Sequence, residues 1–350
     1  MKVCYFGNFD PKYIRAAVLI AGLKKNGVEV IFCRDDSKGI QKYIKLFFAH
    51  RKIRGTYDVL FVGNHDFSRS MVILAKLLTK KKIVWDAHYS LYDARVNDRK
   101  QIPKRSLKAL YHWSLEWLAC KLADVILLDT QNHVDYFAQL FKAKKEKFGY
   151  VFIGADDEAF YPVANNKRTD KKFIVEFHGK FIPLQGVPYI IKAAKLLEAH
   201  TDIQFQIIGN GQTYAEVIAV AKKLDVKNVE FIDKIPYDQV LTYITNADVC
   251  LGIFGDTGKA TRVIPNKLYE AVAAGKAVIT ADTPAIRELF TNGENISLCT
   301  RADENDLAMK ILQLRNNPLV TQKIGENVYK LFKQRLTPTQ IARDLITFLQ

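Results

Sequence analysis

"FIVEFHGKFIPLQGVPYIIKAAKLL", residues 173–197, runs from a short, mostly apolar segment through a glycine-bounded loop into a helical pattern. An almost continuously apolar run of this length is what a strand covered on both faces needs, and a helix following within a few residues makes it one unit of a parallel sheet with crossover helices. The same rhythm extends in both directions. Toward the N-terminus, "KVCYFG", "VEVIFC", "DVLFVG", "KKIVWDAH", "ADVILLD" and "YVFIG" read as strands, separated by helical segments such as "YIRAAVLIAGLKKNG" and "MVILAKLLTK". Toward the C-terminus, "IQFQIIGNG", "VEFID", "ADVCLGIFG", "KAVITA" and "NISLCT" alternate with "YAEVIAVAKKLD", "YDQVLTYITN" and a helix near residue 266. Between the two series "GADDEAFYPVANNKRTDKK" (154–172) is polar, charged and carries Pro162, which marks it as the linker. The pattern predicts an α/β chain of two doubly wound, Rossmann-like domains, 1–160 and 161–334, with a cleft between them.

Composition supports this reading. The chain has 350 residues with 49% apolar content, enough for two cores. Five cysteines, Cys4, Cys33, Cys120, Cys250 and Cys299, are scattered without a C-x-x-C pair, so reduced core thiols are expected rather than a disulfide frame or zinc site. The opening "MKVCYFGNFDP" reaches glycine and aspartate too early for a signal peptide, and no apolar run approaches the roughly 18 residues of a membrane span. A cytoplasmic protein is expected.

The net charge of +15 is unevenly placed: residues 1–170 hold thirty Lys and Arg against eighteen Asp and Glu, residues 171–350 twenty-two against nineteen. Within the basic half, "SKGIQKYIKLFFAHRKIRGTY" (37–57) has six basic residues and no acidic one, with Ile40, Tyr43, Ile44, Phe47 and Phe48 at helical spacing; "RKQIPKRSLK" (99–108) adds five basic residues. Two readings compete. Either the apolar stripe faces its own core and the lysines are solvated, or the surface rests peripherally on anionic lipid at the inner face of the cell membrane. No zinc finger, RNP signature or helix-turn-helix accompanies the charge, so nucleic acid is not an expected partner.

In open α/β sheets ligands sit beyond the carboxyl ends of the strands. The strings there are "GNFDP" (7–11), "GNHDFSR" (63–69), "DAHYSLYD" (86–93), "HGKFIPLQG" (178–186), "GNGQT" (209–213), "GDTGK" (255–259) and "PNKLYE" (265–270). The last opens a helix oddly. If Pro265 is its first residue, Ile264 stands where a capping side chain would normally be, and the N–H groups of Asn266, Lys267 and Leu268 stay free. Free donors and the helix dipole suit an anion such as a diphosphate. Asn266 and Glu270, four apart, point to the same side.

Taken together, "GKFIPLQGVPYIIKAAKLL", "IIGNGQ" and "PNKLYEAVAAGKAVI", in this order and within this layout, resemble the GT-B glycosyltransferases, and among them the family 4 enzymes, which use a nucleotide-activated sugar and retain its anomeric configuration. The resemblance covers almost the whole chain. It implies that the C-terminal helix, about 335–350, packs back on the first domain, which binds the acceptor, and that the second domain binds the nucleotide sugar, a UDP- or GDP-sugar. It implies that Glu270 accepts the ribose hydroxyls, and that Gly186, Gly209 and Gly211 belong to the donor loops. Bases in this fold are often gripped near strings such as "DKIPYDQ" (233–239), which places Ile235 at the donor. Lys180 stands where the family usually has an arginine facing the diphosphate, and Gln185 where it commonly has a lysine. Lys267 is expected to supply the missing cation. Arg262 replaces a glutamate that contacts the donor sugar in many members; a guanidinium cannot accept hydrogen bonds, so either it turns to a phosphate or an acidic sugar, or Asp256 takes over the hydroxyls. In the first domain, Gly7 and Asn8 are expected to let the backbone approach the diphosphate, although the double glycine of many relatives is missing. His88 falls where many members have a histidine touching the donor sugar, with Asp86 two residues earlier and Asp93 and Arg95 closing the loop. His65 and Asp66 form a second candidate pair.

The resemblance suggests retaining transfer through an oxocarbenium-like sugar without a covalent enzyme intermediate. The departing phosphate oxygen would take the acceptor proton while Lys180, Lys267 and the helix N-terminus meet the growing charge. No Asp-x-Asp occurs, so neither a metal nor another cofactor is expected. The absence of G-x-x-x-x-G-K-[ST], G-x-S-x-G and H-E-x-x-H argues against a P-loop NTPase, an α/β hydrolase and a zincin, and "GNGQTYAEV" lacks the third glycine of a dinucleotide fingerprint. Three functions stay open: a glycosyltransferase acting on a lipid-linked or membrane-proximal glycan, a sugar-nucleotide epimerase or hydrolase, and a non-catalytic binding module at a membrane.

Overall fold

The computed structural model describes residues 1–163 and 172–350; residues 164–171 of the expected linker lie outside the described residues. The chain forms two compact units, Met1–Gly154 with Leu336–Gln350, and Ala155–Arg335.

The first unit holds the strands β1 (Lys2–Gly7), β2 (Glu29–Arg34), β3 (Val59–Val62), β4 (Ile83–His88), β5 (Val125–Leu128) and β6 (Phe148–Tyr150). They form one parallel sheet in the order β2-β1-β3-β4-β5-β6. Strand β6 ends at Tyr150, earlier than "YVFIG" suggested. Its Gly149 lies under the Phe348 ring, 2.2 Å from where a Cβ would stand, so only glycine fits that contact. Winding reverses after β2. With right-handed crossovers, the first helix therefore lies on one face of the sheet, and the helices that follow β2, β3, β4 and β5 lie on the other. Trp85, Phe6, Leu60, Phe137 and Phe141 fill the core beneath those four helices. On the opposite face the C-terminal helix Pro338–Leu349 packs against Ile14–Lys25. A Cβ at Gly22 would come within 1.9 Å of the Pro338 carbonyl oxygen, so the two backbones approach as closely as the missing side chain allows.

The second unit repeats the plan with β7 (Phe173–His178), β8 (Ile203–Ile208), β9 (Val229–Ile232), β10 (Val249–Leu251), β11 (Ala277–Ala281) and β12 (Ser297–Cys299), all parallel, in the order β12-β11-β10-β7-β8-β9. Its winding reverses between β7 and β10, and Phe177, Phe181, Ile190, Phe205 and Ile279 are among its core. All five cysteines are free and buried. Among the described residues no helix is long and apolar enough to cross a membrane.

Candidate active site

The reversal between β7 and β10 leaves a gap beyond their carboxyl ends, the place where open α/β sheets bind ligands. Glu176 and His178 alternate along β7, so both point to one face, and a carboxylate inside a fully covered strand needs partners to be stable. Those partners are present. His178 Nδ1 is 2.8 Å from Glu176 Oε1, and its Nε2 is 2.8 Å from Glu270 Oε2 on the helix Asn266–Ala273. All three side chains are buried. Burial alone would lower the imidazolium pKa, but the two flanking carboxylates outweigh it and raise it to about 9. At neutral pH His178 therefore carries both protons and donates one to each carboxylate. Tyr237, in the loop after β9, stands near Glu270, and its phenol is pushed up by burial and then by that carboxylate. Burial, with Glu176 adding to it, likewise raises the Cys250 thiol, the register partner of Glu176 on β10.

Lys267, on the first turn of the same helix, is buried as well. Its Nζ donates to Gln185 Oε1 at 2.6 Å, lies 3.3 Å from the centroid of the Phe177 ring, and would be 3.0 Å from a Cβ at Gly179. Burial pushes the amine well below its ordinary pKa, with Glu176 and Glu270 opposing. The amide at 185 and the lysine at 267 are thus one feature: the amine comes from the helix and the amide oxygen accepts from it.

The helix itself differs in detail from the expectation. Pro265 is its N-cap, in extended backbone, and Asn266 is its first residue; no side chain caps it. The Leu268 N–H, expected to be free, donates to the Pro265 carbonyl at 3.0 Å, because a single tight turn closes over it. That correction confines the open end to Asn266 and Lys267. The loop glycines are required by the scaffold: a Cβ at Gly186 would meet Gly255 N at 2.4 Å, at Gly209 the Gly179 oxygen at 2.0 Å, and at Gly211 the Phe181 oxygen at 2.6 Å. Lys180 is exposed beyond β7, Asp256 is exposed, and Ile235 and Arg262 are half-buried, Arg262 with its guanidinium against Gly258.

In the first unit, Gly7 closes β1 with φ +122°, and the Asn8 amide donates to the Asp35 carbonyl at 2.6 Å. His88 ends β4 with φ +57°, an unusual backbone for a side chain larger than glycine, at a point where the β4–β5 register shifts; its ring lies edge-on to Tyr13 and Tyr89. Asp86 must be corrected. It is wholly buried, Arg15 Nε reaches its two oxygens at 2.8 and 3.0 Å, and Arg15 Nη1 continues to the Val151 carbonyl at 2.9 Å. Both carboxylate oxygens are committed to the scaffold, which takes Asp86 out of the reacting groups. Glu116, buried on Leu107–Leu122, binds Arg69 Nε, Ser90 Oγ and the Leu91 N–H, each at 2.6 Å, and so fixes the loop after His88. Asp66 accepts from Tyr89 and Arg95 at 3.2 Å each, and Asp93 from Tyr136 at 2.6 Å. His65 stacks on Phe67.

Sequence reasoning missed Glu176, His178 and Tyr237. The signal was present in "FIVEFH": two polar residues at strand spacing inside an otherwise apolar, covered strand. Arg15 gave none, since its partner lies 71 residues away.

The family described as glycosyl transferases group 1 matches residues 157–331. An uncharacterized glycosyltransferase of Methanocaldococcus jannaschii is 27% identical over 189 residues, 54% of this chain and 50% of the relative, so the match spans half the relative's own length. Among solved structures, HepE of Anabaena in complex with UDP is similar at 16% identity and a TM-score of 0.72, covering 100% of this chain and 99% of that one. Sucrose-phosphate synthase of Thermosynechococcus elongatus is similar at 14% identity and a TM-score of 0.77, covering 99% and 97%. At these identities the two structures establish the shared GT-B fold, two Rossmann-like domains.

Proposed function

Because the chain belongs to the group 1 glycosyl transferases, we propose that it moves a sugar, with retention, from a nucleotide-diphosphate donor to a lipid-linked or membrane-proximal glycan. The observation that carries this reading is Glu270: a buried carboxylate at the switch point, oriented by His178, beside an uncapped helix start and the Lys267–Gln185 pair. A carboxylate so held accepts a ribose diol. The Lys267 amine, which a diphosphate beside it would hold protonated, the N–H groups at the helix start and exposed Lys180 meet the diphosphate, which lets the charge of the leaving group be stabilised without a divalent cation. HepE has been crystallised with UDP and with UDP-glucose, and a UDP-sugar is the first donor to try, with GDP-sugars as the comparison.

In the proposed step the bond between the anomeric carbon and the β-phosphate oxygen breaks, and the acceptor oxygen bonds that carbon from the same face. The acceptor's proton goes to the departing phosphate oxygen. The acceptor is assigned to the first unit, and His88 is that unit's candidate sugar-binding residue. Incubating the enzyme with UDP- and GDP-sugars and glycolipid acceptors in EDTA tests this: the reading predicts a product of unchanged anomeric configuration. Donor hydrolysis or epimerisation without acceptor transfer would replace it with the epimerase reading, and tight binding without turnover with the binding module.

A further inference from the structure

The helix Gln41–Ile53 turns inward with Lys42, Leu46 and His50. Lys42 lies over the Phe67 ring, 3.3 Å from its centroid, so one of the six basic residues of this stretch is spent inside. What the helix turns outward is Ile44, Phe47 and Phe48, preceded by Ile40 at 72% exposure, with Lys45, Arg51 and Lys52 around them. The stripe is thus not core. A second stripe runs along Leu107–Leu122, where Leu107 (86% exposed), Leu110, Tyr111 and Trp117 face solvent, bordered by Lys104, Arg105, Lys108 and Lys121. Between the two helices lies Ser68–Leu78, with Leu77 80% exposed beside Lys76. Tyr43 bonds Ser70 and Arg69 pairs with Glu116, so the three helices form one continuous layer on one face of the sheet.

We propose that this layer is a docking surface for an anionic lipid bilayer. The charge pattern selects the occupant. Neither Gln41–Ile53 nor Ser68–Leu78 contains a carboxylate, and the one on Leu107–Leu122, Glu116, is buried against Arg69. A second copy would bring basic against basic, whereas anionic headgroups neutralise the lysines and arginines as the aromatic and aliphatic tips enter the boundary between headgroups and acyl chains. Helices lying flat in the layer, with apolar tips and basic flanks, match the geometry of proteins that rest on a membrane rather than cross it. The inference deepens the membrane-proximal acceptor of the proposed function, but its test reads binding without turnover. Failure here therefore leaves the donor chemistry standing, and failure of the donor chemistry leaves this surface standing.

The full chain is sedimented with vesicles of phosphatidylglycerol and phosphatidylcholine in equal parts, and with phosphatidylcholine alone, alongside Phe47→Ser/Phe48→Ser, Leu107→Ser/Leu110→Ser and Lys45→Glu/Arg51→Glu. All six positions are exposed, so the melting temperature of each variant is expected to match the wild type. The wild type should pellet with the anionic vesicles and stay in solution with the neutral ones. Each double variant should bind about tenfold more weakly or worse, and the interaction should fade at about 1 M salt, where the Debye length is about 3 Å. Wild-type protein that stays in solution with anionic vesicles, or double variants that bind as well as the wild type, would overturn the proposal. So would a wild-type dimer that Phe47→Ser/Phe48→Ser dissociates, since the face would then be a contact between copies.

Discussion

The two sheets share one plan, six parallel strands with a single reversal, but they spend their buried charges differently. In the first unit the pairs Arg15–Asp86 and Arg69–Glu116 close on themselves, each charge satisfied by its partner or by nearby backbone. In the second, Glu176, His178 and Glu270 form a hydrogen-bonded chain at the carboxyl edge of the sheet, and Lys267, bonded to Gln185, lies on the same helix as Glu270 beside its uncapped start. Closed pairs hold loops in place. The second arrangement leaves a carboxylate and an amine at the switch point, where the proposed donor would bring hydroxyls and negative charge.

The largest effect that separates the two patterns is on stability. Arg15→Ala strands the Asp86 carboxylate in the core of the first unit, and denaturant unfolding of that unit should lose about 3–5 kcal/mol while nucleotide affinity below the transition stays unchanged. A loss of nucleotide affinity without a loss of stability would erase the contrast.

The second effect is a pH dependence confined to the second unit. A histidine raised from about 6.5 in the unfolded chain to about 9 when folded contributes stability that is fully present below the lower value and is lost as pH rises through the upper one. Denaturant melts between pH 6.5 and 9.5 should show the wild type losing on the order of 3 kcal/mol that His178→Gln does not lose. Parallel curves for the two proteins would mean that His178 is not held as a cation.

The third effect is on binding alone. Lys267→Met should weaken a nucleoside diphosphate about 10–100-fold, the range of a hydrogen bond to a charged group, and leave the nucleoside unaffected. Equal losses for both ligands would indicate a collapsed helix start in place of a missing phosphate contact.

Much of this contrast was legible in the sequence, and what was hidden was hidden for physical reasons. Strand ends are marked by where apolar runs stop, so the loop carrying Lys180 and Gln185 and the helix start before Glu270 could be located from the sequence. A helix start without a capping residue is also a local signal, although the residue that begins it shifted by one, because an extended proline can cap as well as open a helix. His178 could have been found from strand alternation. Asp86 could not have been excluded, because a strand-end aspartate reads the same whether it faces substrate or a distant arginine. The stripe of Gln41–Ile53 was ambiguous for a related reason: periodicity shows that a helix has an apolar side, and only the packing of Leu46 and His50 shows that Phe47 and Phe48 are on the other one.

The central claim is that Glu270 is the ribose anchor of a nucleotide site in the second unit. Calorimetric titration of UDP and GDP into the wild type and into Glu270→Ala tests it without an acceptor. The account predicts that one of the two nucleotides binds the wild type and loses about 10²–10⁴ in affinity with the variant, as expected when hydrogen bonds from two hydroxyls to a charged acceptor disappear. Neither nucleotide binding at millimolar concentration, or equal affinity in the two proteins, would contradict it.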